Sequence, residues 1–127
     1  MDNLIKKYLG TKYNENNFNC YTLLVCWFND LGYILDNYQE ERYWYDHGKN
    51  HFIDNYHKQW EKVERENLKI NDIVLIKILS PVPNHVGIYI GEGKFIHCYE
   101  KTDTVISRVD RYKRFVHGFY RLRELCQ

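Results

Sequence analysis

The fold of this chain is decided by residues 85–99, which read HVGIYIGEGKFIHCY. In the first half, apolar residues alternate with others at the two-residue period of a β-strand. The central residues Gly91, Glu92 and Gly93 are typical of a tight turn. The stretch therefore predicts a β-hairpin with one histidine on each strand, His85 and His97.

The relation between the two histidines depends on the length of that turn. With a three-residue loop, 91–93, Gly87 lies opposite His97 and both histidines project from the same face. A two-residue loop, Glu92-Gly93, would send them to opposite faces. We favour the three-residue loop, because it brings His85 within hydrogen-bonding reach of His97, with space left by Gly87.

A cysteine begins the clearest helical pattern of the chain. From Cys20 to Leu31 apolar residues recur at steps of three and four, which predicts a helix. Asn19 is a favoured N-cap, and Gly32 is a typical stop signal. Cys20 is therefore expected in the first turn, where unpaired N–H groups stabilise a thiolate.

These side chains together fit the machinery of a thiol hydrolase. Cys20 would be the nucleophile, and His85 would be the general base that forms an ion pair with it and later protonates the leaving amine. His97 would orient the ring of His85. Tyr13 is our candidate for a side-chain donor to the oxyanion, beside the backbone N–H of Cys20. The residues leave two other readings open, a buried structural cysteine and a zinc site built from the same three side chains.

Several short motifs carry a family resemblance. They are LGTKY at 9–13, NCYTLLV at 19–25, LKINDIVL at 68–75, NHVGIYIG at 84–91 and FIH at 95–97. Their order and spacing resemble the NlpC-type family of papain-like cell-wall cysteine peptidases. The resemblance implies that Cys20, His85 and His97 are the nucleophile, base and third polar residue, and that Tyr13 is the family's upstream tyrosine. It also implies cleavage of peptide bonds in peptidoglycan stem peptides, typically between D-glutamate and a diamino acid.

The chain departs from the family's pattern at three places. Asn19 replaces an aspartate, Tyr21-Thr22 replaces a small residue and a glycine, and Asn71 replaces a glycine. None of these changes removes a catalytic atom, but bulk after Cys20 would narrow the cleft. The chain's ending and the short gap from Tyr13 to Cys20 resemble the branch found in bacteriophage tail assemblies, which implies phage tail proteins as partners.

The order of the patterns predicts one α+β domain over residues 1–127. An amphipathic helix over 2–9 and the Cys20 helix come first, and antiparallel strands follow at 71–79, in the hairpin, and at 104–109 and 116–122. The papain-like arrangement packs the Cys20 helix on the sheet that bears the histidines. The aromatic stretch 33–67 is expected to be an insertion of helices that completes the core or stacks on substrate.

Composition excludes some functions and partners. The 18 Lys plus Arg residues nearly balance 17 Asp plus Glu, so nothing indicates a nucleic-acid binder. No apolar run reaches the roughly 20 residues of a membrane span, and residues 1–7 lack the apolar region of a signal peptide. We therefore expect synthesis in the cytoplasm and access to the wall in a phage particle or after the host membrane fails. We expect no cofactor and no metal.

Two other function classes fit the same residues. The triad would also serve deamidation, transamidation or acyl transfer on a protein or a lipid. A non-catalytic module of a phage or wall assembly is the other alternative.

Overall fold

The computed structural model describes residues 2–35, 58–81 and 83–126. This part of the chain contains two α-helices, α1 (Asp2–Tyr8) and α2 (Cys20–Asp30). Its six strands are β1 (Trp60–Val63), β2 (Ile73–Ile76), β3 (His85–Gly91), β4 (Lys94–Tyr99), β5 (Asp103–Arg108) and β6 (Val116–Leu122). Short 3-10 helices follow three of the strands, at Arg65–Asn67, Val109–Tyr112 and Arg123–Leu125.

All six strands belong to one antiparallel sheet. Their order is β1-β6-β2-β3-β4-β5, so the histidine hairpin β3-β4 lies beside the centre of the sheet. Helices come first in the chain and the sheet follows, and α2 packs on one face of that sheet. The predicted α+β architecture, with the Cys20 helix packed on the sheet that bears the histidines, is confirmed.

The two faces of the sheet bury different clusters. On one face, Trp27 and Phe28 of α2 pack with sheet residues such as Leu75 and Ile88. On the other face, Phe95 belongs to a smaller buried cluster, formed by residues of the strands and of the segments that connect them. Its remaining buried members are Val63, Val74, Ile76, Val109 and Phe119. Because side chains alternate along a strand, His97 lies on the Phe95 face, where the two rings stack at a centroid distance of 4.4 Å.

Helix α2 begins where the sequence predicts. The Asn19 side chain accepts hydrogen bonds from the backbone N–H groups of Tyr21 and Thr22, each at 3.0 Å. These bonds satisfy two of the donors that an α-helix leaves unpaired at its start. At the other end, Gly32 adopts a φ of 94°, which glycine tolerates and other residues rarely do. Cys20 is therefore fixed as the first residue of the helix.

In the described part of the expected helical insertion at 33–67, residues 58–59 are helical, whereas residues 60–63 form a strand. Residues 36–57 lie outside the described residues. The remainder contains the strand β1, with Trp60 paired to Leu122 of β6 and packed edge-on against Phe28 at 5.5 Å. Pairing with an existing sheet edge, together with full burial of Trp60, overrides local helix preference here. None of the helices that the structure describes is long and apolar enough to span a membrane.

Candidate active site

The hairpin has the predicted register but a different turn. Ile88 pairs with Ile96 and Tyr89 with Phe95, as the three-residue loop requires, whereas Gly91 pairs with Lys94. The turn itself is therefore the two-residue Glu92-Gly93, with φ values of 55° and 74°. A β-bulge between Tyr89 and Gly91 takes up the extra residue. This bulge keeps the histidines on one face, which a two-residue turn alone would not do.

His85 and His97 form a buried hydrogen-bonded pair. Nε2 of His85 lies 2.7 Å from Nδ1 of His97. Both residues are buried, with 3% of the surface of His85 and 1% of that of His97 exposed. Gly87 makes this approach possible, because a Cβ there would lie 2.4 Å from Cδ2 of Phe95 and 3.0 Å from Cβ of His97. The pair leaves Nδ1 of His85 as the nitrogen that would take a proton from a nucleophile.

The Cys20 thiol lies against the strand that carries His85. The backbone N–H of Val86, which directly follows His85 in β3, acts on the Cys20 sulfur and lowers the pKa of the thiol, as the N–H groups of Tyr21 and Cys20 also do. The residue is buried, with 8% of its surface exposed. The structure thus places the Cys20 sulfur near Val86, the residue that follows His85 in β3.

Burial favours uncharged forms of all three groups. Burial raises the pKa of the Cys20 thiol to about 12, although the N–H group of Val86 acts in the opposite direction. Burial, and then His97, hold the pKa of His85 well below 6.5, and burial lowers the pKa of His97 to about 4. Burial by itself therefore favours a neutral thiol and neutral imidazoles in the substrate-free cleft. The Cys20–His85 ion pair expected from the sequence stays a prediction.

Tyr13 is held at the start of β5. Its backbone N–H donates to Oδ1 of Asp103 at 2.9 Å. Nearby, the N–H of Thr104 donates to the carbonyl oxygen of Thr11 at 3.0 Å, and the Gly10 N–H donates to the Thr104 carbonyl oxygen at 2.9 Å. The half-buried side chain of Tyr13 packs against the cluster that contains Cys20. Its role as an oxyanion donor stays a prediction.

One polar contact of the site was missed by the sequence analysis. Nε2 of His97 lies 2.8 Å from Oγ of Ser107, a residue of the edge strand β5. Ser107 pairs with Phe95, which makes it a diagonal neighbour of His97. Both strands were expected from the sequence, so assigning the pairing register of β4 and β5 would have predicted the contact between Ser107 and His97.

The described residues give the zinc alternative no geometric basis. No group of three or more His, Cys, Asp and Glu side chains in this part of the chain is arranged to hold a metal ion. Cys20 contacts the backbone of β3, while the two histidines engage each other through ring nitrogens. A site with that arrangement lends itself to proton transfer.

Residues 6–121 match the family model described as the NlpC/P60 family. The chain belongs to the NlpC/P60 family. Over 116 residues it is 27% identical to the tail tip assembly protein K of Escherichia phage lambda, and the match covers 90% of this chain and 58% of that protein. The chain thus spans little more than half the length of this relative.

Solved structures of other proteins share the fold. An NlpC/P60 family protein from Bacillus cereus superposes with a TM-score of 0.71 at 20% identity, covering 95% of this chain and 39% of that one. The peptidoglycan hydrolase RipB from Mycobacterium tuberculosis gives a TM-score of 0.64 at 15% identity, covering 94% of this chain and 60% of that one. The resemblance predicted from the motifs is confirmed.

The departures from the NlpC/P60 pattern have structural explanations. Asn71 adopts a φ of 77°, a conformation open to glycine and tolerated by asparagine, and its Oδ1 accepts the Nε1–H of Trp27 at 3.0 Å. Tyr21 is 1% exposed and belongs to the core under α2. Its bulk therefore fills the interior and does not narrow the cleft as expected. Thr22 donates its hydroxyl to the Asn19 cap at 3.2 Å.

Proposed function

We propose that this chain is a cysteine amidase that cleaves peptidoglycan stem peptides between D-glutamate and the diamino acid. Cys20 would be its nucleophile, His85 its base and acid, and His97 the group that orients His85. The observation that carries the proposal is the hydrogen bond between His85 and His97 at the strand end that contacts the Cys20 sulfur. Membership of the NlpC/P60 family supports the same reading, because the family's members are typically cysteine peptidases or amidases.

The charge state of the cleft shapes the first step. Because burial favours a neutral thiol and a neutral imidazole, proton transfer from Cys20 to Nδ1 of His85 accompanies attack of the sulfur on the scissile carbonyl. The C–N bond then breaks as His85 returns that proton to the leaving amine. Water then attacks the thioester while His85 accepts its proton. The C–S bond breaks and His85 returns that proton to the Cys20 sulfur, which releases the carboxylic acid product and restores the thiol.

Negative charge develops on the carbonyl oxygen during both attacks. The first turn of α2 carries backbone N–H groups, and the N–H of Cys20 is our candidate donor to this oxygen. Tyr13 would supply a second donor from its hydroxyl. Each donor of this kind typically accounts for about 100- to 1,000-fold in kcat.

The phage lambda relative suggests where the chain acts. That protein is named as a tail tip assembly protein, and RipB is named as a peptidoglycan hydrolase. We propose by analogy that this chain acts on the host wall as part of, or during assembly of, a phage tail. Phage tail proteins would then be its partners.

The decisive experiment is digestion of purified wall fragments, with products identified by mass spectrometry. We expect wild type to release fragments with a new D-glutamyl carboxylate and a new amine on the diamino acid. Cys20→Ala should release none, while the matched control Cys126→Ala, which removes an exposed thiol, should behave as wild type. Equal digestion by wild type and Cys20→Ala, or none by either, would overturn the proposal. A product joined to an added amine would replace hydrolysis by acyl transfer.

A further inference from the structure

The polar contacts of the histidine pair continue beyond His97 to the edge of the sheet. We propose that Ser107 is a positioning residue that sets the proton arrangement of both histidines by accepting a hydrogen bond from Nε2–H of His97. The proposal rests on the proposed function, in which His85 is the base.

The geometry places Ser107 at the end of one continuous chain of groups. Oγ of Ser107 lies 2.8 Å from Nε2 of His97, and Nδ1 of His97 lies 2.7 Å from Nε2 of His85. Both nitrogens of His97 are thus engaged, one on each side. Since His97 is only 1% exposed, water has little access to replace either partner.

A neutral imidazole carries one N–H, so the two contacts of His97 are coupled. For His85 to accept a proton at Nδ1, its own proton must sit on Nε2 and be donated to Nδ1 of His97. His97 must then carry its proton on Nε2 and needs an acceptor there. Ser107 provides that acceptor, and the same arrangement stabilises His85 once it is positively charged.

The other contacts of His97 hold its ring plane but do not select a tautomer. Phe95 stacks on the ring at 4.4 Å, and Tyr112 meets it edge-on at 5.5 Å. Tyr99 contacts the ring of His85 at 5.3 Å. Tyr99 of β4 and Tyr112 of the 3-10 helix Val109–Tyr112 are titratable residues whose rings contact the pair. The hydroxyl of Ser107 is the hydrogen-bonding partner that the described structure places at Nε2 of His97.

A matched pair of variants separates the hydroxyl from the shape of the side chain. Ser107→Thr retains the hydroxyl, while Ser107→Val has nearly the same shape as threonine and lacks it. Nitrogen-15 NMR of the full chain, without substrate, distinguishes protonated from bare imidazole nitrogens in each variant.

We expect wild type and Ser107→Thr to carry the protons of His85 and His97 on Nε2. In Ser107→Val we expect a mixture of tautomers at both histidines. A Val variant with the wild-type proton positions, or a wild type with the His97 proton on Nδ1, would overturn the proposal.

Turnover of wall fragments gives a second readout. Loss of one hydrogen bond of this type predicts a kcat about tenfold lower in Ser107→Val than in Ser107→Thr, with KM unchanged. Equal kcat values in the two variants would also refute a positioning role. If no form digests wall fragments, wild type included, the proposed function is wrong. The NMR comparison still tests the positioning role of Ser107 in that case.

Discussion

Arg121 of β6 donates two parallel hydrogen bonds to Asp72, from Nε to Oδ1 and from Nη2 to Oδ2, each at 2.7 Å. Asp72 is 1% exposed, and its Oδ2 also accepts the backbone N–H of Lys69 at 2.8 Å. Nη2 of Arg121 further donates to the carbonyl oxygen of Asn67 at 2.9 Å. One guanidinium therefore joins β6 to the segment that leads into β2.

We predict that Arg121→Ala destabilises the fold by about 3–5 kcal/mol, because it leaves the buried Asp72 carboxylate without its counter-charge. Urea unfolding followed by circular dichroism measures the change. Arg114→Ala, which removes an exposed arginine, should alter stability by less than about 0.5 kcal/mol. Similar values for the two variants would show that the bidentate pair does not stabilise the fold.

The depressed pKa of His97 predicts a loss of stability in mild acid. Burial lowers this pKa to about 4 in the folded chain, against 6.5 for an ordinary histidine. Between those values the unfolded chain binds the extra proton, so the free energy of unfolding falls as pH decreases from about 6.5 to about 4. The loss from His97 alone should reach about 3 kcal/mol.

His97→Asn provides the comparison, because it removes this titration and leaves the carboxylates unchanged. Its free energy of unfolding should vary less with pH than that of wild type across this window. Parallel curves for the two proteins would contradict the assignment.

The elements that the sequence predicts well are those set by local patterns. Asn19 caps α2 through bonds to its own neighbours, and the alternation after His85 places the histidines on one face. The predicted loop length was wrong, yet the register survived because the bulge between Tyr89 and Gly91 compensates. A bulge has no local signature strong enough to separate it from a longer loop.

The features that escaped prediction depend on pairing between distant segments. Strand β1, which begins at Trp60, pairs as an edge strand with β6, nearly half the chain away in sequence. The apolar residues of β1 fit a helix equally well, so their pattern alone does not predict this pairing. Ser107 reaches His97 only through the β4–β5 register. The raised pKa of Cys20 follows from burial, which depends on packing of the whole domain.

The close packing around Gly87 predicts that one added methyl group lowers both stability and activity. In Gly87→Ala the new Cβ would lie 2.4 Å from Cδ2 of Phe95 and 3.0 Å from Cβ of His97, so both side chains must move. We expect a loss of about 1–3 kcal/mol in stability from overpacking and a disproportionate loss of kcat. Thermal unfolding and wall digestion measure the two effects.

The double variant Gly87→Ala with Phe95→Leu tests the cause. Removing the ring that the new methyl group meets should make the combined loss smaller than the sum of the two single losses. Strict additivity would indicate that the methyl group acts elsewhere, for example by restricting the backbone of β3.

The reactivity of Cys20 distinguishes a neutral pair from a preformed ion pair. Because burial raises the pKa of this thiol to about 12, its alkylation by iodoacetamide should be slow near neutral pH and should accelerate by nearly tenfold per unit between about pH 7 and pH 10. Mass spectrometry of the Cys20 peptide gives the rate, and Cys20→Ala confirms which thiol reacts. A thiolate already paired with His85 would react rapidly, with a rate nearly independent of pH between about pH 5 and pH 8. Such a plateau would mean that the cleft stabilises charge in spite of its burial, and proton transfer would then precede attack on the substrate.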